Sequence, residues 1–228
     1  MSAAHRLLIL SNPAPGKEEE FHAWYPERLA QFLTIPGFDA VQQFELSDDQ
    51  FPPEAIPPSE HQYMTVYEVS SSPEEAIERL MDVGMATVPD VIDAASRRAF
   101  WFSAVGPLHG AVVPSPEHKL IVLANPISEA LDGNLNAWYD EHLEELIGMG
   151  AGVVNAQRFK VSDAQFPAEV SPPCGHRYLA LYDTDTAPKH TCDTLAGAMA
   201  DYEHPDGLDM ATLRDWMFTA LEARRVAQ

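Results

Sequence analysis

An imidazole in the middle of an apolar helical stripe is the first group in this sequence that invites proton transfer. In the stretch Leu135-Asn136-Ala137-Trp138-Tyr139-Asp140-Glu141-His142-Leu143-Glu144-Glu145-Leu146, a helical turn of about 100° per residue puts Leu135, Trp138, Tyr139, His142 and Leu146 on one face. The acids Asp140, Glu141, Glu144 and Glu145 fall elsewhere. A histidine donates or accepts a proton near neutral pH, and an apolar setting moves its pKa further. The Tyr139 hydroxyl needs a partner if it is buried, and it is suited to polarise a carbonyl or act as an acid beside His142. The plain alternative is a core histidine held by a backbone carbonyl or by Asp140. An earlier stretch, Phe21 to Phe32, repeats the pattern with Phe21, Trp24, Tyr25, Arg28 and Phe32, so that Arg28 stands in the place of His142. A buried guanidinium is costly unless paired. Arg28 is therefore expected to hold an anionic ligand group bidentately, to pair with a carboxylate such as Glu45 or Glu68, or to reach solvent. Trp24, Tyr25, Trp138 and Tyr139 supply aromatic walls to a pocket, or plain core.

Other chemistries leave no trace. His22, His109, His190 and His204 have no partner at ligand spacing and no His-x-x-Glu-His set is present, so no metal is expected. Neither a Gly-x-Gly-x-x-Gly turn, a Walker lysine loop nor a Gly-x-Ser-x-Gly elbow occurs, which disfavours nucleotide cofactors and serine hydrolysis. The 228 residues are 46% hydrophobic, enough for a sizeable core, and carry a net charge of −21. Such acidity repels phosphate backbones and anionic lipid, which argues against nucleic-acid and membrane partners. Cys174 and Cys192 do not suggest a disulfide scaffold. No run approaches the roughly 18 apolar residues of a membrane span, and Met1 to Leu10 lacks the features of a leader. The expectation is a cytoplasmic protein acting on a small molecule, without a cofactor.

The elements that position these residues come twice. Ser47-Asp48-x-Gln50-Phe51-Pro52-x-Glu54 returns about 115 positions later as Ser162-Asp163-x-Gln165-Phe166-Pro167-x-Glu169. Asn12-Pro13 returns as Asn125-Pro126, Trp24-Tyr25 as Trp138-Tyr139, and His61, Tyr63 and Tyr67 as His176, Tyr178 and Tyr182. Residues 1–112 and 113–228 are read as two copies of one unit, joined through Gly106 to His118. Each copy reads as strand, helix, strand, strand, helix, strand. In the first these are Arg6 to Ser11, the Trp24 helix, Ala40 to Leu46, His61 to Val69, Ser72 to Met81 and Ala99 to Val105. In the second they are Leu120 to Ala124, Asn136 to Ile147, Val154 to Val161, His176 to Tyr182, Thr191 to Ala200 and Asp215 to Leu221. Good helix formers from Thr212 to Arg225 suggest that the last strand runs into a terminal helix. This is the βαββαβ ferredoxin-like unit, α+β, in tandem. Each sheet has one face under helices; packing the two sheets together covers the other faces and makes a closed barrel-like body. His61, His176 and the four third-strand tyrosines are expected between the sheets. Asn12 and Asn125 end the first strands as helix caps or pocket residues. Gln42 and Gln157 share a strand face with Phe44 and Phe159, to bind a ligand carbonyl or tie strands. The Pro-rich loops Ser47 to Glu60 and Ser162 to Gly175 are long enough to be lids, or are stiff straps.

Asn125-Pro126, Trp138-Tyr139-Asp140-Glu141-His142, Gln157-Arg158-Phe159 and Tyr178 to Tyr182 together resemble the dimeric α+β barrel superfamily, near its EthD-like members, over nearly the whole chain as a fused pseudo-dimer. The superfamily includes cofactor-free monooxygenases, cyclases, isomerases, dehydratases and haem proteins. The resemblance implies a pocket between sheet and helices within each unit, with a first-helix histidine pointing into it. That role carries over to His142 alone, since the first copy departs at Pro26 and Arg28. The reading is a cofactor-independent lyase, dehydratase or isomerase for a small, largely apolar oxygenated molecule from catabolism. His142 would be the acid/base and Tyr139 its helper. Trp138, Asn125 and Gln157 would line the second pocket, and Arg28, Trp24 and Tyr25 the first. A non-catalytic hydrophobe-binding protein and a haem or monooxygenase site are the alternatives. The assembly is expected to be a monomeric pseudo-dimer or a homodimer.

Overall fold

The computed structural model describes residues 3–199 and 205–228, so the side chain of His204 lies outside it. The first run of elements is β1 (His5–Ser11), α1 (Glu18–Phe32), β2 (Phe38–Leu46), β3 (Tyr63–Val69), α2 (Pro73–Asp82), β4 (Arg98–Ala104) and a short β5 (His109–Gly110). The second is β6 (His118–Ala124), α3 (Asp132–Gly148), β7 (Val153–Val161), β8 (Tyr178–Thr184), α4 (Pro188–Met199), β9 (Arg214–Ala220) and a short β10 (Arg225–Val226). Local chemistry sets several boundaries. Glu18, Glu19 and Glu20 open α1, where the helix dipole favours negative charge. Ser72 caps α2, its Oγ accepting the Glu75 N–H at 3.3 Å. After α1 the chain turns at Gly37 with φ +91°, and a Cβ there would sit 2.4 Å from Ser71 Oγ.

Among the described residues the long strands are antiparallel in the order β2-β3-β1-β4-β7-β8-β6-β9, and β2 pairs with β9 to close the barrel. The two runs meet at β4–β7 and β2–β9, so each would-be sheet edge is paired with the other run. The short strands exchange as well: β5 pairs with β7, and β10 with β2. The expected terminal helix is absent. Arg225 and Val226 pair with Val41 and Ala40 instead, and Arg225 Nη1 donates to Pro26 O at 2.9 Å. An open strand edge outcompetes helix propensity at this end of the chain.

Strand alternation divides the core. Leu8, Leu10, Phe44, Met64, Val66, Phe100 and Phe102 meet Ile121, Leu123, Phe159, Leu179, Leu181, Trp216 and Phe218 inside the barrel. The opposite strand faces pack under the helices, with Tyr25, Tyr63, Tyr67 and Trp101 in one layer and Tyr139, Tyr178, Tyr182 and Met217 in the other. The third-strand tyrosines thus lie beneath helices and not between the sheets. Tyr67, for instance, stacks at 4.4 Å on Phe32 of α1. Alternation separated these rings from Met64 and Val66 correctly, but it carries no information about which face a helix covers. His61 and His176 sit at the loop ends, their Nε2 atoms at 2.8 and 2.9 Å from the carbonyls of Ser96 and Thr212.

The Pro-rich loops are exchanged straps. Phe51 and Ile56 of the first loop enter the core under α3, and Phe166 of the second enters the core under α1. Each is fastened by a glutamine that mimics a neighbouring strand. Gln165 accepts the Trp101 N–H at 3.0 Å and donates to the Trp101 carbonyl at 2.7 Å. Gln50 does the same to Met217, at 3.0 and 2.7 Å. Gln165→Ala is expected to destabilise the fold by about 1–3 kcal/mol, because the Trp101 N–H of a barrel strand loses the amide oxygen it donates to, and the Trp101 carbonyl is left with the Ser162 N–H alone. A denaturant midpoint unchanged from wild type would show that the amide pairing contributes nothing.

Candidate functional site

Helix α3 buries Leu135, Tyr139, His142, Leu143 and Leu146 against the sheet, as its spacing requires. His142 is 5% exposed. Its ring lies flat on the Trp138 indole, with centroids 4.1 Å apart and planes 19° apart, and edge-on to Tyr139 at 6.2 Å. Its Nδ1 is 3.6 Å from Glu145 Oε2, less than one turn along the helix. Trp138 thus covers one face of the imidazole.

Beneath Tyr139 lies a group of polar side chains from the sheet. The Arg158 guanidinium of β7 stands 4.6 Å from the Tyr139 ring centroid and 5.3 Å from that of Tyr178. It donates to Asp140 Oδ1 at 3.2 Å and to Asn136 Oδ1 at 2.5 Å, tying the sheet to the exposed side of α3. Asp215 of β9 is buried on the same face as Met217, and its Oδ1 has no hydrogen-bond partner. Burial pushes its carboxyl up to about 7, so it exchanges a proton at neutral pH. Burial also raises the Tyr139 and Tyr182 hydroxyls; the Asp215 charge adds to both shifts and Arg158 opposes them. These groups feel one another, and a buried acid poised near neutrality is a mark of functional sites.

Asp215 and Arg158 were not singled out from the sequence. The signal was available in the repeat. Asp215 stands where the first copy has Ala99, and Arg158 where it has Gln43. An acid replacing alanine at a core position of a duplicated strand is the anomaly to look for.

The layer under α1 is chemically different. Tyr25 is buried and its Oη accepts from Thr65 Oγ1 at 3.0 Å. Burial lifts its hydroxyl pKa, while Arg97 and Arg28 oppose that shift. Arg28 Nη2 donates to the Met85 carbonyl, and the guanidinium lies 5.7 Å from the Trp24 ring and 5.2 Å from Phe32. Arg28 thus fastens the turn after α2 to α1, and among the described residues no carboxylate pairs with it.

Two further expectations are corrected in their grouping. Asn125 is not a helix cap: its Nδ2 donates to Gly175 O at 2.9 Å and its Oδ1 accepts the Arg177 N–H at 2.7 Å, pinning the end of a strap. Asn12 makes the equivalent pair with Glu60 O and the Gln62 N–H, at 2.8 and 2.7 Å. Gln157 does not converge with His142 and Trp138. It neighbours Arg158 on β7, so it points to the other face and lines a cavity at one mouth of the barrel. His142 lines neither that cavity nor the adjoining one around Thr219 and Leu221. Among the described residues, no three His, Cys, Asp or Glu side chains gather as a metal site, and no helix is long and apolar enough to cross a membrane.

No family model and no curated protein matches the sequence. Solved structures do match the fold. A proposed monooxygenase from Fusobacterium nucleatum subsp. nucleatum superposes with a TM-score of 0.59 at 7% identity, over 100% of this chain and 98% of its own. An anthrone oxidase-like protein gives 0.58 at 10% identity, over 100% and 94%. A chlorite dismutase mutant from Candidatus Nitrospira defluvii gives 0.58 at 10% identity, over 96% and 92%. At these identities the likeness concerns architecture: the chain has the dimeric α+β barrel fold, closed within one polypeptide.

Proposed function

We propose that this protein is a cofactor-independent enzyme of the lyase, dehydratase or isomerase kind, acting on a small, largely apolar oxygenated molecule in the cytoplasm. We further infer that it arose from two copies, residues 1–112 and 113–228, of an EthD-like unit, and that only the second copy carries the chemistry. The observation that carries this reading is the buried Asp215 carboxyl beneath Tyr139, with a pKa near 7 and one oxygen without a hydrogen-bond partner. Such a group is expensive to keep unless it does something. With His142, whose ring centroid is 6.2 Å from that of Tyr139, it would make two proton carriers around one tyrosine, the equipment for removing a proton at one atom and delivering it at another. Tyr139 would orient or polarise the substrate oxygen, and Trp138 would be the movable wall.

A binding protein without turnover is the second reading, favoured by the closed stack of Trp138 on His142.

Proton abstraction can be tested before the substrate is known. Cyclic hydroxyketones and 1,3-diketones incubated with the protein in deuterated water should exchange their activated C–H protons faster than in buffer alone. Ligands that bind, seen by line broadening, yet exchange at the buffer rate would favour the binder.

A further inference from the structure

The layer under α1 lacks the buried acid of its counterpart under α3. Gln43 of β2, Thr65 of β3, Ile9 of β1 and Ala99 of β4 stand side by side in register across its sheet. Thr65 points at α1, since its Oγ1 donates to the Tyr25 hydroxyl at 3.0 Å, and its row neighbours share that face. The matching row of the second copy is Arg158, Ala180, Val122 and Asp215. Ala99 thus brings a methyl group where the second copy brings a buried carboxyl.

Two guanidiniums serve this layer, Arg28 from α1 and Arg97 from the residue before β4. Arg28 donates to the Met85 carbonyl, and Arg97 Nη1 donates to the Val170 carbonyl at 2.9 Å. The ionisable groups that act on them are the Tyr25 and Tyr67 hydroxyls and, on Arg97, Arg28 itself. Among the described residues no carboxylate pairs with either guanidinium. Burial lowers both pKa values, and an anion beside the two groups would offset that cost. Two buried N–H donors on the same sheet face, Gln43 Nε2 and Trp101 Nε1, also have no hydrogen-bond partner. What this layer is short of is an acceptor.

The surroundings are aromatic. The Arg28 guanidinium lies 5.2 Å from the Phe32 ring centroid and 5.7 Å from that of Trp24, and Tyr67 and Trp101 are buried in the same cluster. Arg28, Trp24 and Met85 are half-buried, so the layer reaches the surface at this corner, whereas Arg97 is only 6% exposed. A ligand entering here meets Arg28 first and Arg97 behind it.

We propose that the layer under α1 is a binding site for a small carboxylate with a compact apolar body. The carboxylate lies against Arg28 and Arg97 over Ala99, and the body lies among Phe32, Tyr67 and Trp101. The ligand brings from outside the acid that Asp215 supplies covalently in the second copy. A planar carboxylate matches a guanidinium fork, and a flat apolar body matches the rings around it. The site belongs to the other copy from His142 and does not rest on the reading of that residue.

The test is calorimetric titration of the whole protein with benzoate, benzamide and inorganic phosphate. Benzoate should bind one per chain, at least about tenfold more tightly than the uncharged amide or than phosphate. Ala99→Asp, which installs in the first layer the acid of the second, should abolish that binding. Arg28→Gln should weaken it by about tenfold or more. Arg28 is half-buried on a helix, so this variant carries the test if Ala99→Asp fails to fold. Absence of saturable benzoate binding up to about 10 mM would overturn the proposal. So would undiminished binding in either folded variant, or benzamide or phosphate binding as tightly as benzoate.

Discussion

His142→Gln is expected to slow turnover by about 10²–10⁴-fold while changing ligand affinity by no more than about tenfold. Glutamine keeps a planar polar group that packs on Trp138 and reaches towards Glu145, so the wall of the site survives. What it loses is the imidazole's capacity to carry a proton. An effect confined to kcat is the signature of a group acting in the transition state, whereas a packing residue would change affinity or stability together with rate. The rate is read from the proton-exchange assay, and affinity from titration with the same ligand. Turnover equal to wild type would reject His142 as the proton carrier and leave it as a core residue stacked under Trp138.

Asp215→Asn should make the protein more stable above neutral pH, by up to about 4 kcal/mol. A carboxyl moved from 3.8 to about 7 by burial corresponds to that amount at roughly 1.36 kcal/mol per pH unit. The sign follows from proton binding. Below pH 3.8 the group is protonated in both folded and unfolded chains and has no net effect. As pH rises towards 7 the unfolded chain releases the proton while the folded one retains it, so stability falls through this window and stays low above it. Burial depresses the pKa of His5, His61, His118 and His176, which makes their contribution run the other way, lost as pH falls. Both proteins share those histidines, so the difference between wild type and Asp215→Asn isolates the carboxyl. Thermal melts from pH 4 to 9 should show the two curves meeting at low pH and separating by on the order of 10 °C at pH 8. Parallel curves would mean that Asp215 titrates as an ordinary surface acid. Greater stability with lower turnover in this variant would fit a strained acid retained for chemistry.

Much of this architecture was legible in the residues. The duplicated Gln-Phe-Pro motif, the Trp-Tyr pairs and the period-two strands specify two βαββαβ runs, because hydrophobic periodicity and turn residues are local properties. The amphipathic stripe of α3 likewise put His142 and Tyr139 on the buried face, where they lie. Residues whose role depends on partners far along the chain were not legible. Gln50 and Gln165 read as loop residues until the straps are seen to cross to the other copy. Asn125 reads as a cap until Gly175 and Arg177 arrive beside it.

The chain alone determined that it carries two like runs of elements, that α3 turns an imidazole inward, and that the first run has an arginine there instead. Tertiary structure decided the rest. It placed the tyrosines under helices, sent Gln157 to the far side of the sheet from His142, and left an aspartate at the Ala99-equivalent position in a buried layer. The physical reason is that alternation fixes which side chains share a face, whereas pKa, burial and pairing depend on what another segment lays against that face. For Asp215 the deciding fact is desolvation, and desolvation belongs to the assembled layer and not to any stretch of sequence.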